Sequence, residues 1–149
     1  MAKSRIVGVK NLSTVTNAIQ KVGKSIESGV KDQVMQQTSN IEFEAKVKVQ
    51  GISSDIEIRK FISDSGLSGL VSARHYANAD LAAYIEFGTG VHASEILQGY
   101  PNEVRELAMQ FYVNGQGRMP SRPYLIPAFL RYRKQFILNI KKIVKASIK

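Results

Sequence analysis

Met119-Pro-Ser-Arg-Pro-Tyr-Leu-Ile-Pro-Ala-Phe129 is the stretch against which the rest of the chain is read. Pro120, Pro123 and Pro127 each hold φ near about −65° and remove a backbone donor, so Met119 to Ile126 reads as an extended arm, not helix interior or central strand. Pro127 suits the first turn of a helix, where its missing N–H has no partner to lose, and a helical apolar period starts directly after it. The arm carries Met119, Tyr124, Leu125 and Ile126 with Arg122 among them. Such a segment suits lying along another surface, and equally a rigid connector within one domain.

The helix that the arm feeds is expected from Ala128 to about Ile148. Phe129, Tyr132, Phe136, Ile137, Ile140, Ile143 and Val144 fall on one side. Arg131, Lys134, Lys141, Lys142, Lys145 and Lys149 cluster within about 100° of the other. Arg133 projects into the apolar sector, where an arginine either snorkels its head to water or meets a carboxylate.

At the other end, Arg5-Ile-Val-Gly-Val9 is a short apolar start that suits an edge strand, and Asn11 or Ser13 can cap a helix behind it. Leu12, Val15, Ile19, Val22, Ile26, Val30 and Val34 then recur at 3.6-residue spacing within an arc of about 120°. Gly23 and Gly29 interrupt it and mark a bend or a close helix contact. From Ile41 two signals conflict. Ile41, Phe43, Ala45, Val47 and Val49 alternate as in a strand, yet Glu42 to Lys46 and Glu44 to Lys48 are i,i+4 pairs in the favourable order. Continued helix is the preferred reading. Unbroken from Asn11 to Lys48 it spans roughly 57 Å, longer than a domain of this size is wide, so it breaks or reaches a neighbouring subunit.

Gly51 to Ser54 reads as a turn, followed by a hairpin of Asp55 to Ile62 and Leu67 to Arg74 about Asp64-Ser-Gly66. Ala79 to Phe87 is a short helix or a third strand, stopped by Gly88-Thr-Gly90. Pro101 suits the first position of another helix, with Val104, Leu107, Ala108 and Phe111 on one side and Asn114-Gly-Gln-Gly117 closing it. The fold class expected is α+β: a long N-terminal helix and a C-terminal amphipathic helix packed on a small antiparallel sheet, with a proline-rich extended arm. One domain spans 1–149, divided into an N-terminal helix (1–50), a hairpin and Glu-Phe-Gly-Thr segment (51–90), a helical insertion (91–118) and the arm with its helix (119–149).

The net charge of +9 is unevenly placed, since residues 1–106 are balanced and no acid follows Glu106. Nine Lys and Arg occupy the last segment, which points to an acidic or polyanionic partner, nucleic acid among them, or to a solvated basic face. No apolar run approaches the roughly 18 residues of a membrane span, so no membrane partner and a cytoplasmic site of synthesis are expected. The absence of cysteine removes disulfides and thiolate metal sites.

Catalysis has little support. His92 with Glu95 is an i,i+3 pair lacking a third ligand, His75 stands apart, and Gly88-Thr-Gly90 is not followed by the lysine of a phosphate loop. Asp64, Asp80, Glu86 and Glu95 are the acids from which a two-carboxylate site would have to be drawn, and solvated or paired acids are the default. No catalytic residue, metal or cofactor is expected.

Two motifs point elsewhere. Leu81-Ala-Ala-Tyr-Ile-Glu-Phe-Gly-Thr89, followed by the Pro-Ser-Arg-Pro arm at 120–123 and an amphipathic terminal helix, resembles the tail-completion or head-tail joining proteins of tailed bacteriophages. Ala45-Lys46 matches the Ala-Lys near the end of that family's first helix, and the resemblance covers nearly the whole chain. Gly51-Ile-Ser-Ser-Asp-Ile56 stands where the family carries Pro-x-x-Thr-Gly-x-Leu, and Gly90 to Met119 holds an extra helix. The resemblance implies a structural, non-enzymatic virion protein of the phage neck, assembled in the host cytoplasm. It would form a ring, a hexamer by family habit, meeting the connector or stopper, the tail terminator and the tail tube, with DNA passing through. A tail terminator ring and a sequence-independent DNA-binding protein are the rival readings.

Within this frame Met119, Pro120, Arg122, Pro123, Tyr124, Leu125 and Ile126 are the expected subunit-contact arm, pre-stiffened for docking. Glu86 is expected to form an ion pair with Arg122 or Arg133, pinning the arm or last helix to the turn. Arg131, Lys134, Lys141, Lys142 and Lys145 form the face expected for DNA or an acidic partner.

Overall fold

In the computed structural model the described residues are 12–90, 93, 98–109 and 117–148. The expected Arg5–Val9 strand, the Asn11 cap, His92, Glu95, Phe111, most of the 114–117 closing loop and Lys149 lie outside them. The elements in order are α1 (Leu12–Gln50), β1 (Ile56–Ile62), β2 (Gly69–His75), α2 (Ala79–Phe87), α3 (Asn102–Met109) and α4 (Ile126–Ser147). This is an α+β arrangement of a long N-terminal helix, a two-stranded antiparallel sheet and a C-terminal helix.

α1 runs unbroken for 39 residues, so the strand-like alternation at 41–49 is helix. Two physical facts decide it. Lys46 meets Glu42 at 2.7 Å and Lys48 meets Glu44 at 2.9 Å, one helical turn apart. Ile41, Ala45 and Val49, spaced by four, are buried in the core, while Phe43 is 71% exposed and Val47 also faces outward. A strand would have placed all five on one face.

α4 packs antiparallel along α1. Arg131 pairs with Glu44 at 3.0 Å, Asn139 donates to Gln33 at 2.8 Å, and Ile143 lies over Gly29. A Cβ at Gly29 would stand 2.9 Å from Ile143 Cγ2, so this glycine marks the close helix contact, not a bend. Gly23 has nothing within 4 Å of the corresponding position.

The hairpin pairs Ile56 with His75 through to Ile62 with Gly69. Its inner face buries Ile56 and Ile58 against α1, and Lys60 reaches Ser39 at 2.9 Å and Glu42 at 3.5 Å across the gap. One core cluster joins Ala45 and Val49 of α1, Ile56 and Ile58 of β1, Ile85 of α2 and Tyr124 of the arm. A second joins Phe87, Val104 and Ala108, with Ile126 and Leu130 of α4 packed against it.

The helix alternative holds for 79–87 over its expected bounds, and two helix starts differ from the expectation. Ala79–Phe87 is helix, capped by Asn78, whose side chain accepts from the Asp80 amide at 3.0 Å. Pro101 precedes α3 instead of opening it, and its carbonyl accepts from Val104 and Arg105. α4 begins two residues before Ala128, because the chain bends at Tyr124 and Leu125 instead of continuing the extended arm, and Leu125 already lies in the αR region at φ −94° and ψ −52°.

Candidate functional site: the Glu86 clamp

α2 ends where Gly88 turns the chain at φ 75°, a left-handed conformation open to glycine, with its N–H returned to the Tyr84 carbonyl at 2.8 Å. The proline arm then lies directly against this turn. The Thr89 amide donates to the Met119 carbonyl at 3.0 Å, the Met119 amide to Thr89 Oγ1 at 2.9 Å, and the Arg122 amide to the Ile85 carbonyl at 2.8 Å. A Cβ at Gly88 would stand 2.8 Å from the Ser121 nitrogen and 2.9 Å from the Met119 oxygen. The glycine is therefore required twice, by its φ and by the backbone passing over it.

Beneath this contact Glu86 is 4% exposed. Its Oε2 accepts from the amides of Tyr124 and Leu125 at 2.8 and 2.9 Å, and its Oε1 from the amide of Ile126 at 2.8 Å. The expected ion pair with Arg122 or Arg133 is thus corrected: Glu86 spends its oxygens on three consecutive backbone N–H groups. These are unpaired donors at the start of α4, and the fourth position is Pro127, which has none. A carboxylate from α2 therefore caps α4 in trans, with the positive end of the helix dipole attracting its charge. The same contact explains why the arm bends into helix at Leu125.

Burial pushes the Glu86 carboxyl above the usual carboxylate value; the amides of Leu125, Tyr124 and Ile126 and the Lys48 charge act against that push. Burial, then the Glu86 charge, raises Tyr100 to about 12 and lifts Tyr124 further still. The Tyr124 hydroxyl donates to the Ala82 carbonyl at 3.0 Å, and its ring is 1% exposed. Tyr124 therefore belongs to the chain's own core and leaves the expected subunit-contact surface. Pro123, Leu125 and Ile126 are half-buried, while Met119, Pro120 and Arg122 remain on the outside.

Arg133 is exposed, at the mouth of a groove of about 280 Å³ bounded by Ile41, Phe129, Tyr132 and Phe136, so it snorkels along apolar surface. Arg131 is exposed and engaged by Glu44, whose carboxyl is half-buried, which pushes its value up, yet is held below the usual one by Lys48, Arg131 and Tyr132. Lys134, Lys141, Lys142 and Lys145 are exposed and form no ion pair among the described residues. Asp64 sits in the hairpin turn, Asp80 in the first turn of α2, and His75 Nδ1 accepts from the Ala77 amide at 3.2 Å, so the structure does not bring them to Glu86. No group of three or more His, Cys, Asp or Glu able to hold a metal occurs among the described residues.

The capping role of Glu86 was missed in the sequence because its partners are main-chain groups, to which residue identity gives no clue. The one available signal was an acid inside an apolar run, Tyr84-Ile-Glu-Phe87. No family model, no curated protein and no solved structure matches this chain.

Proposed function

We propose that the chain is a structural neck protein of a tailed bacteriophage, one that joins a DNA-filled head to a tail as a homo-oligomeric ring, a hexamer in the form the resemblance implies. The observation that carries this reading is the docking of its two motif segments on each other. Glu-Phe-Gly-Thr at 86–89 and the Pro-Ser-Arg-Pro arm form one hydrogen-bonded unit, held from below by Glu86. Such a unit holds Met119, Pro120 and Arg122 outward on a rigid edge, which lowers the ordering cost of a repeated heterologous contact. Neighbouring neck proteins, the connector or stopper, the tail terminator and the tail tube, are the partners of this reading.

Light scattering and negative-stain electron microscopy test it, with the purified chain alone and mixed with connector and tail-tube proteins. A closed ring that persists in high salt supports the reading. A chain that stays monomeric alone and with every neck partner removes it.

A second reading is favoured by the exposed lysines at 134, 141, 142 and 145. On this reading α4 contacts DNA phosphates without reading bases, because lysine on one face with no aromatic stacking partner offers charge alone. A tail terminator ring is the remaining alternative, separated by which partner the ring binds.

A further inference from the structure

Residues 13–21 of α1 are exposed, and Val22 and Ile26 are half-buried. Matching Gly29 to Ile143 in the antiparallel α1–α4 pair places the last helical residue of α4, Ser147, about four residues further on, near Ser25. Residues 12–24 therefore project beyond α4 by roughly 20 Å. Their apolar stripe continues the face on which α4 packs. Val15, Ile19, Val22 and Ile26 recur at alternating four- and three-residue steps, in line with Gly29 and Gln33. Val15 is 53% and Ile19 67% exposed.

This projection is a poor helix by itself. Thr14, Val15, Thr16, Asn17, Ile19, Val22 and Gly23 are weak helix formers, and an isolated helix shorter than about 12–15 residues is marginal in water even with good ones. Its helicity calls for packing on the stripe. The flanks indicate what packs there. Thr16 and Gly23 border one side, Ala18 and Ser25 the other, all small and uncharged, while Lys21 and Lys24 point away. Two copies of this face can approach closely without like charges meeting.

We propose that residues 12–26 of α1 pair antiparallel, about a two-fold axis, with the same stretch of a second copy of this chain. Parallel pairing is disfavoured because each α4 lies on the same face of its α1, so the two α4 helices would collide just past Ile26. In the antiparallel arrangement the partner helix occupies the line that α4 vacates. About 20 Å of paired helix buries on the order of 500 Å² per copy, below the roughly 800 Å² of a standard stable interface, so the contact is weak and concentration-dependent. A two-fold contact closes at two copies, so it is separate from the heterologous contact of a ring and stands or falls independently of the neck reading.

Sedimentation equilibrium across concentration tests it, with the full chain and the Ile19→Lys and Ile19→Leu variants. The wild type and Ile19→Leu dimerise, while Ile19→Lys, at an exposed position that leaves the fold intact, weakens association by about tenfold or more. Because the chain lacks cysteine, Ala18→Cys supplies a direct probe and cross-links on oxidation. Ser28→Cys, about 180° from Ile19, does not. A wild type monomeric at every concentration overturns the proposal and leaves the stripe to another protein. Association unchanged by Ile19→Lys, or equal cross-linking at positions 18 and 28, overturns it as well.

Discussion

Glu86 Oε1 lies 2.8 Å from the amide nitrogen of Ile126, the first residue of α4, forty residues further along the chain. With the two bonds from Oε2, this fixes the start of α4 to the end of α2. The carboxylate joins what the sequence presents as two separate motifs.

Removing that carboxylate leaves three amides at the start of α4 without their acceptor. Glu86→Ala is expected to cost about 3 kcal/mol or more, and Glu86→Gln somewhat less, because the amide oxygen still accepts while its NH2 faces a donor. Urea denaturation measures both. A Glu86→Ala protein as stable as the wild type would show that the capping contributes nothing.

The pH dependence has a definite sign. The folded-state value of Glu86 lies above the usual 4.5, so the folded state binds its proton more tightly. Its ionisation then lowers stability as pH rises from the usual value through the raised one. Glu42 and Glu44 are shifted the other way, and the stability they contribute is lost as pH falls through their lowered values. The stability margin of the wild type over Glu86→Gln should therefore shrink from pH 4 upward. Paired denaturation curves check this, and a margin that grows would mean that the three amides outweigh burial.

Gly88→Ala combines a φ of 75° with a collision against the Ser121 nitrogen and Met119 oxygen. A destabilisation of more than about 1–2 kcal/mol is expected. Amide hydrogen exchange should show reduced protection at Thr89 and Arg122, whose bonds tie arm to turn. Unchanged exchange at both would argue against the docked arm.

Tyr124 separates packing from polarity. Tyr124→Phe keeps the ring and removes the hydroxyl's bond to the Ala82 carbonyl, at about 1 kcal/mol, whereas Tyr124→Ala opens the core at about 3–5 kcal/mol. Thermal unfolding of the two variants measures the gap.

Lys134, Lys141, Lys142 and Lys145 are exposed, so changing all four to Gln should move stability little, within about 0.5 kcal/mol for each site. If α4 meets DNA, the salt dependence of binding should flatten by about 0.9 in slope for each phosphate that no longer meets a lysine. Fluorescence anisotropy across a salt series reads it.

Much of the helical layout was legible because burial by one face leaves a period. Val34, Ile41, Ala45 and Val49 trace the buried line of α1, and the i,i+4 pairs Glu42–Lys46 and Glu44–Lys48 resolved its ambiguous end. The hairpin was legible through its alternation and its Asp64-Ser-Gly66 turn, to within two residues at each boundary. The site was legible only as two motifs. Pairing Glu86 with an arginine was reasonable by charge and wrong in fact, because unpaired backbone donors carry no sequence signature.

The sequence by itself determined the elements, since proline geometry, glycine punctuation and apolar period are local and act wherever the chain goes. It also determined the basic C-terminal segment, because charge is composition. Tertiary structure alone decided that the arm folds onto its own chain, that Tyr124 is core and that Glu86 caps a distant helix. Those outcomes depend on which surfaces meet across some forty residues, where a buried carboxylate must find donors and the ones it meets lie at the entry to α4.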